Sequence, residues 1–168
     1  MNQRVAFFVA VVLVASSSRG DGYGIDSGEA KLSVGNGRLI MCSLDLAFNP
    51  IKDLRMTWDL SLKQETPIAI RASTPPYGRW RIGYDPGGKD PTVFAAKADT
   101  PGIVNWKVGF LQGKGYTIQA AGGPLAGWYL TPGTENIEMD VRGKNTVVGT
   151  KPVLSKEPAY FEIDEIGP

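Results

Sequence analysis

The sequence predicts an all-β domain, and three observations carry that expectation. No apolar run keeps a helical period, the apolar residues fall in short alternating or continuous runs, and breakers separate those runs. Among 168 residues there are 21 glycines and 12 prolines. Taken in order, the predicted strands are 32–34, 39–46, 56–62, 68–70, 80–82 and 93–95, followed by 104–111, 116–120, 128–130, 137–141, 147–148 and 160–166. The intervening breakers are Gly35-Asn36-Gly37, Pro75-Pro76, Asp85-Pro86-Gly87-Gly88, Gly113-Lys114-Gly115, Gly122-Gly123-Pro124 and Pro132-Gly133. Each permits the left-handed or tight backbone that closes a hairpin.

The first twenty residues are read apart from the fold. Met1 to Arg4 is a short basic start, Val5 to Ala15 is an apolar run, and Ser16 to Gly20 supplies small residues for cleavage. This is the pattern of a secretory signal peptide, too short to span a bilayer. The expected organisation is therefore a signal at 1–20 and one secreted, extracellular domain at 21–168, with no membrane insertion after cleavage. Cleavage removes Arg4 and Arg19 and no acid, so 18 bases and 17 acids become 16 and 17. A balance so near zero gives no reason to expect nucleic acid as a partner.

Composition also removes catalytic toolkits. With no histidine and one cysteine, Cys42, the chain has no Ser-His-Asp triad, no Cys-His pair and no four-thiolate metal site. Cys42 reads as a small buried apolar residue. Paired carboxylates are the remaining acid–base chemistry, with Glu135, Glu138, Asp140, Glu157, Glu162, Asp164 and Glu165 as candidates, but no spacing sets two of them across a cleft. No enzyme activity, cofactor or metal is expected. Gly109 to Lys114 lacks the spacing and hydroxyl of a phosphate loop, residues 21–29 lack the ligand alternation of a calcium loop, and Arg19-Gly20-Asp21 straddles the cleavage region.

Internal repeats narrow the architecture. An aromatic, any residue and an aliphatic recur at Trp58-Asp59-Leu60, Trp106-Lys107-Val108 and Phe161-Glu162-Ile163. A glycine followed by spaced hydrophobics recurs at Gly37-Arg38-Leu39-Ile40-Met41, Gly78-Arg79-Trp80-Arg81-Ile82 and Gly127-Trp128-Tyr129-Leu130. Each unit opens with a similar element: Leu32-Ser33-Val34, Ile68-Ala69-Ile70 and Tyr116-Thr117-Ile118. The last two units share Thr92-Val93-Phe94-x-x-Lys97 and Thr146-Val147-Val148-x-x-Lys151.

Three consecutive units, approximately 30–64, 66–111 and 114–165, resemble the β-trefoil superfamily, in the layout of ricin-B-like lectins and mushroom protease inhibitors. The resemblance implies a barrel with few free edges, whose repeated aromatics converge on a pseudo-threefold axis. The alternative is a lipocalin-like β-barrel, because Gly78-Arg79-Trp80 is similar to that family's Gly-x-Trp signature; the signature belongs on a first strand and falls here well inside the chain. Against the ricin-type Gln-x-Trp, the corresponding positions read Met56-Thr57-Trp58, Val104-Asn105-Trp106 and Ala159-Tyr160-Phe161. That departure argues against sugar binding by the ricin mode.

Binding candidates are Tyr77, Arg79, Arg81 and Tyr84 in one segment and Trp128 and Tyr129 in another. On a strand at 80–82, Trp80 and Ile82 face the core while Arg79 and Arg81 face solvent. Arginines flanked by Tyr77 and Tyr84 suit an acidic glycan or a carboxylate-rich partner. Of Trp128 and Tyr129, one faces the barrel and the other offers a ring to a sugar or peptide. The expected function is a secreted, non-catalytic binding protein presenting loops to an extracellular protein or glycan. Its sharper form is a protease inhibitor, and the alternative is a structural component of an extracellular or biomineral matrix.

Overall fold

The computed structural model describes residues 27–35, 37–42, 45–50, 57–61, 66–73 and 77–165. The signal segment at 1–20, most of the segment tested for calcium ligation and the Cys42 side chain lie outside what is described. Among the described residues twelve strands run β1 (Ser27–Val34), β2 (Gly37–Cys42), β3 (Asp45–Asn49), β4 (Trp58–Ser61), β5 (Arg71–Ala72) and β6 (Arg81–Asp85). They continue through β7 (Thr92–Ala96), β8 (Trp106–Leu111), β9 (Gly115–Ala120), β10 (Tyr129–Val141), β11 (Lys144–Ser155) and β12 (Glu162–Glu165). The protein is an all-β barrel, with no helix among the described residues.

A closed ring of antiparallel pairings defines the barrel. β12 pairs β1, β1 pairs β4, β4 pairs β5, and β8 pairs β9. Single bridges complete it, Ile68 to Trp106 and Tyr116 to Phe161. Three hairpins, β2–β3, β6–β7 and β10–β11, stand on this ring. β11 touches both of the others, meeting β3 at Thr150↔Phe48 and β7 at Val153↔Thr92.

The repeated aromatics explain why the ring closes around one core. Trp58, Trp106 and Phe161 are all buried to 1% exposure or less. Trp58 Nε1 donates to the Leu39 carbonyl and Trp106 Nε1 to the Ile82 carbonyl, each at 3.0 Å, tying a barrel strand to its neighbouring hairpin. Two residues beyond the aromatic, Val108 pairs with Ile118 and Ile163 with Leu32, while Leu60 and Ile70 are placed one step beyond Asp59↔Arg71 by the same register. Burying side chains of this size supplies roughly 1.5–3 kcal/mol each before entropy is counted.

This register corrects the repeat frame expected from sequence. Leu32 corresponds to Ile70 and Ile118, so the first unit starts two residues earlier than the motif match implied. The indole bonds make Leu39 the counterpart of Ile82, which leaves Gly37 opposite the role of Trp80. Pairs of apolar residues spaced by two match equally well when slid by two, and only the register resolves them. The Lys97 match moves as well: Lys97 lies beside Trp80 and Lys156 beside Trp128, one step beyond Arg81↔Ala96 and Tyr129↔Ser155.

Two further expectations change. The run at 39–46 is two strands, β2 and β3. The runs at 128–130 and 137–141 fuse into β10, a strand of 13 residues that passes straight through Pro132-Gly133. The breaker is absorbed by a register irregularity between Pro132 and Asn136 instead of forming a turn. The reversal comes at Arg142 and Gly143, whose φ values of 54° and 78° are those a tight two-residue hairpin turn requires.

Candidate functional site

The third hairpin is the longest, and its outer part stands clear of the barrel. From Ile137↔Gly149 outward, β10 and β11 pair only with each other among the described residues. The two strands form a ribbon that ends at Arg142-Gly143. Alternation sends Ile137, Met139 and Val141 to one face and Glu138 and Asp140 to the other. Val141 is 45% exposed and Val147 52%, unusual for large aliphatics that have a core available.

The ribbon is anchored at its base by a bulge. Ile137 faces Gly149 and Glu138 faces Val147, so Val148 is the extra residue. Its carbonyl accepts a hydrogen bond from the side-chain amide of Asn49, a buried polar residue on β3. Beside it, a Cβ on Gly149 would run into the Phe48 carbonyl oxygen, so only glycine lets β11 lie this close to β3. Lys151 and Glu135 add a surface ion pair at 3.7 Å.

An apolar cleft of about 310 Å³ opens between this base and the first hairpin. Val34, Gly37, Phe48 and Pro50 form one side; Pro132, Asn136, Val147, Gly149 and Thr150 form the other. No charged side chain is among these lining residues. A second, more polar depression of about 580 Å³ lies over the β9–β12 seam, with Lys114, Tyr160, Glu162 and Asp164 around it. There Lys114 Nζ sits 5.3 Å from the Tyr160 ring centre, and burial together with the nearby Glu165 carboxylate pushes the Tyr116 phenol above its ordinary range.

The residues singled out from sequence do not form one site. Tyr77 and Trp80 meet edge to face at 5.5 Å, both half-buried against the core. Arg79 is exposed in the turn between them with φ at 74°, outside β6, so it does not share a strand face with Arg81 as expected. Arg81 points outward directly across from Arg71. Tyr84 is 1% exposed, a correction to its place as a flanking ring: its hydroxyl donates to the Gly122 carbonyl and accepts from the Leu125 amide, both at 2.8 Å. A phenol that spans two loop groups in this way is a fastener.

Trp128 and Tyr129 occupy the equivalent place one repeat later. Ala72 N bonds Trp80 O, Arg79 N bonds Ala72 O and Trp80 N bonds Tyr77 O; Ala120, Gly127, Trp128 and Leu125 repeat all three bonds. Trp128 packs on the core beneath Lys156 Nζ, 5.5 Å from its ring centre, while Tyr129 is half-exposed beside Gln119. The ribbon and the cleft were not found from sequence, although the alternation of Ile137 to Val141 was visible. Gly37 lines the cleft, and only the register shows that it stands where Trp80 does. No protein-family model matches the chain, and no curated protein is significantly similar to it.

Proposed function

We propose that this chain is a secreted, non-catalytic binding domain of β-trefoil type that engages a protein partner through the β10–β11 ribbon. Support for the trefoil reading comes from the ring of six barrel pairings, the three hairpins that stand on it and the threefold repetition of Trp58, Trp106 and Phe161. The basic-apolar-small start of the chain supports secretion.

The observation that carries the binding reading is the ribbon itself. A two-stranded arm keeps its outer N–H and C=O groups available, and such edges pair with another polypeptide, whereas a sugar has no matching ladder. Exposed Val141 and Val147 and the carboxylates of Glu138 and Asp140 then discriminate between sequences. Affinity capture from extracellular extract tests this with the mature chain and with a variant in which residues 138–147 are replaced by Asn-Gly. A protein held by the mature chain and released by the shortened one is the expected result. Equal retention by both removes the ribbon from the interface, and retention of glycans in place of protein refutes the partner class.

A further inference from the structure

The three repeats treat one position differently. Two residues before the residue whose carbonyl meets the barrel indole, the second repeat has Trp80 and the third, by the same hydrogen-bond pattern, Trp128. Both rings are packed on the margin of the core. The first repeat has Gly37 there, two before Leu39, and its missing side chain would point at the Phe48 Cβ, 3.2 Å from an added Cβ. This glycine is among the residues that line the 310 Å³ cleft.

We propose that the cleft receives an indole ring supplied in trans, as a tryptophan side chain of the protein partner; the inference rests on the reading of the ribbon as a protein-binding arm. Three features select that occupant. The protein itself shows which group fits the equivalent place, since its own chain puts tryptophan there twice. The volume lies at the lower end of ligand sites, room for one ring system and little more. The cross-strand neighbour has changed in step: Trp80 and Trp128 lie beside Lys97 and Lys156, whereas Gly37 lies beside Pro50. Lys156 stands over the Trp128 ring as a cation, while Pro50 offers an apolar ring face, and no charged side chain is among the described residues of the lining. A neutral aromatic ring is the complement of such a wall. Val147, on the ribbon, forms part of the far side, so a partner strand laid along the ribbon brings its side chains to the cleft mouth.

The test uses the isolated protein and N-acetyl-tryptophanamide as probe, followed by amide chemical shifts. Saturable shifts centred on Val34, Gly149 and Thr150 are expected, with N-acetyl-leucinamide at least about tenfold weaker, a difference of about 1.4 kcal/mol. Gly37→Trp fills the cleft from within and should abolish the shifts. If that variant does not fold, Val147→Glu, on an exposed position, should weaken the probe by a similar factor. Absence of saturation, shifts centred elsewhere, equal binding of the leucine probe, or undiminished binding in a folded Gly37→Trp protein each overturn the proposal. None of these results depends on the ribbon's partner, so failure here leaves the capture experiment to decide the ribbon separately.

Discussion

The indole N–H of Trp58 meets a backbone carbonyl that has no water to turn to, so the ring contributes both area and a polar bond. Trp58→Phe keeps most of the area and strands the Leu39 carbonyl, which should lower unfolding free energy by about 1–3 kcal/mol in urea titration. Arg79 makes the opposite case. It holds a left-handed backbone where the sister turn has Gly127, at φ 96°. The left-handed penalty of roughly 1–2 kcal/mol exceeds the entropy cost of glycine, about 0.5–1 kcal/mol. Arg79→Gly should therefore raise the unfolding free energy by at most about 1.5 kcal/mol, read as a higher urea midpoint with unchanged slope. Tyr116 gives a pH signature. Its phenol titrates higher in the fold than in the unfolded chain because burial, then Glu165, disfavour the phenolate. Its contribution is thus intact below the unfolded value near 10 and is lost as pH rises through the raised folded value. Tyr116→Phe should flatten that alkaline loss when stability is measured across pH 9 to 12 and compared with the parent. At this scale the sequence was legible wherever a residue's own chemistry decided its place, as with the three repeated aromatics. It was misread at Tyr84, although the period of two that buries Ile82 also buries Tyr84, because a tyrosine beside arginines invites a surface role.

Among the elements, the ribbon has the weakest ties and the most distinct behaviour. Its outer strands bury little, so its amides should exchange by local opening well before the barrel's. Arg142→Asn supplies the residue preferred in a tight turn with two positive φ values and should slow exchange at Val141 and Lys144 without moving the global midpoint. At the base, Asn49→Ala removes the donor to the bulged Val148 carbonyl. That should cost about 1–3 kcal/mol and speed exchange along β11, read by the same experiment. The existence of strands in this region was readable from Ile137-x-Met139-x-Val141. Their continuity was not, because Pro132-Gly133 carries the composition of a turn, and only the partner strand shows that a bulge has accommodated it.

At the level of the whole molecule, closure is the defining property. The first described strand and the last pair with each other, so the ring closes only when both are in place. Ending the chain before Phe161 removes one of the three repeated aromatics, takes the β12 partner from β1 and takes the Phe161 bridge from β9. Such a truncation should abolish the cooperative transition in calorimetry, while the full chain melts in one step. Pairing distant segments in this way makes folding slow, on the millisecond-to-second scale of β-rich domains. The all-β class could be read from breakers and short runs. The cleft could not, because its lining joins residues from 34 to 50 with residues from 132 to 150, and only the folded chain brings them together.

The free strand edges of the ribbon bear on how the protein behaves when crowded. Among the described residues each barrel strand has a pairing on both sides, two of them single bridges, whereas the outer strands of the ribbon pair only with each other, so the arm is the favoured route for edge-to-edge association of two molecules. Glu138 and Asp140 stand as acidic gatekeepers beside that route, and like charges repel when two arms align. Replacing both with alanine removes that repulsion, so stocks of the double variant should turn turbid at a lower protein concentration than the parent, while a pair of lysines in their place should keep them clear.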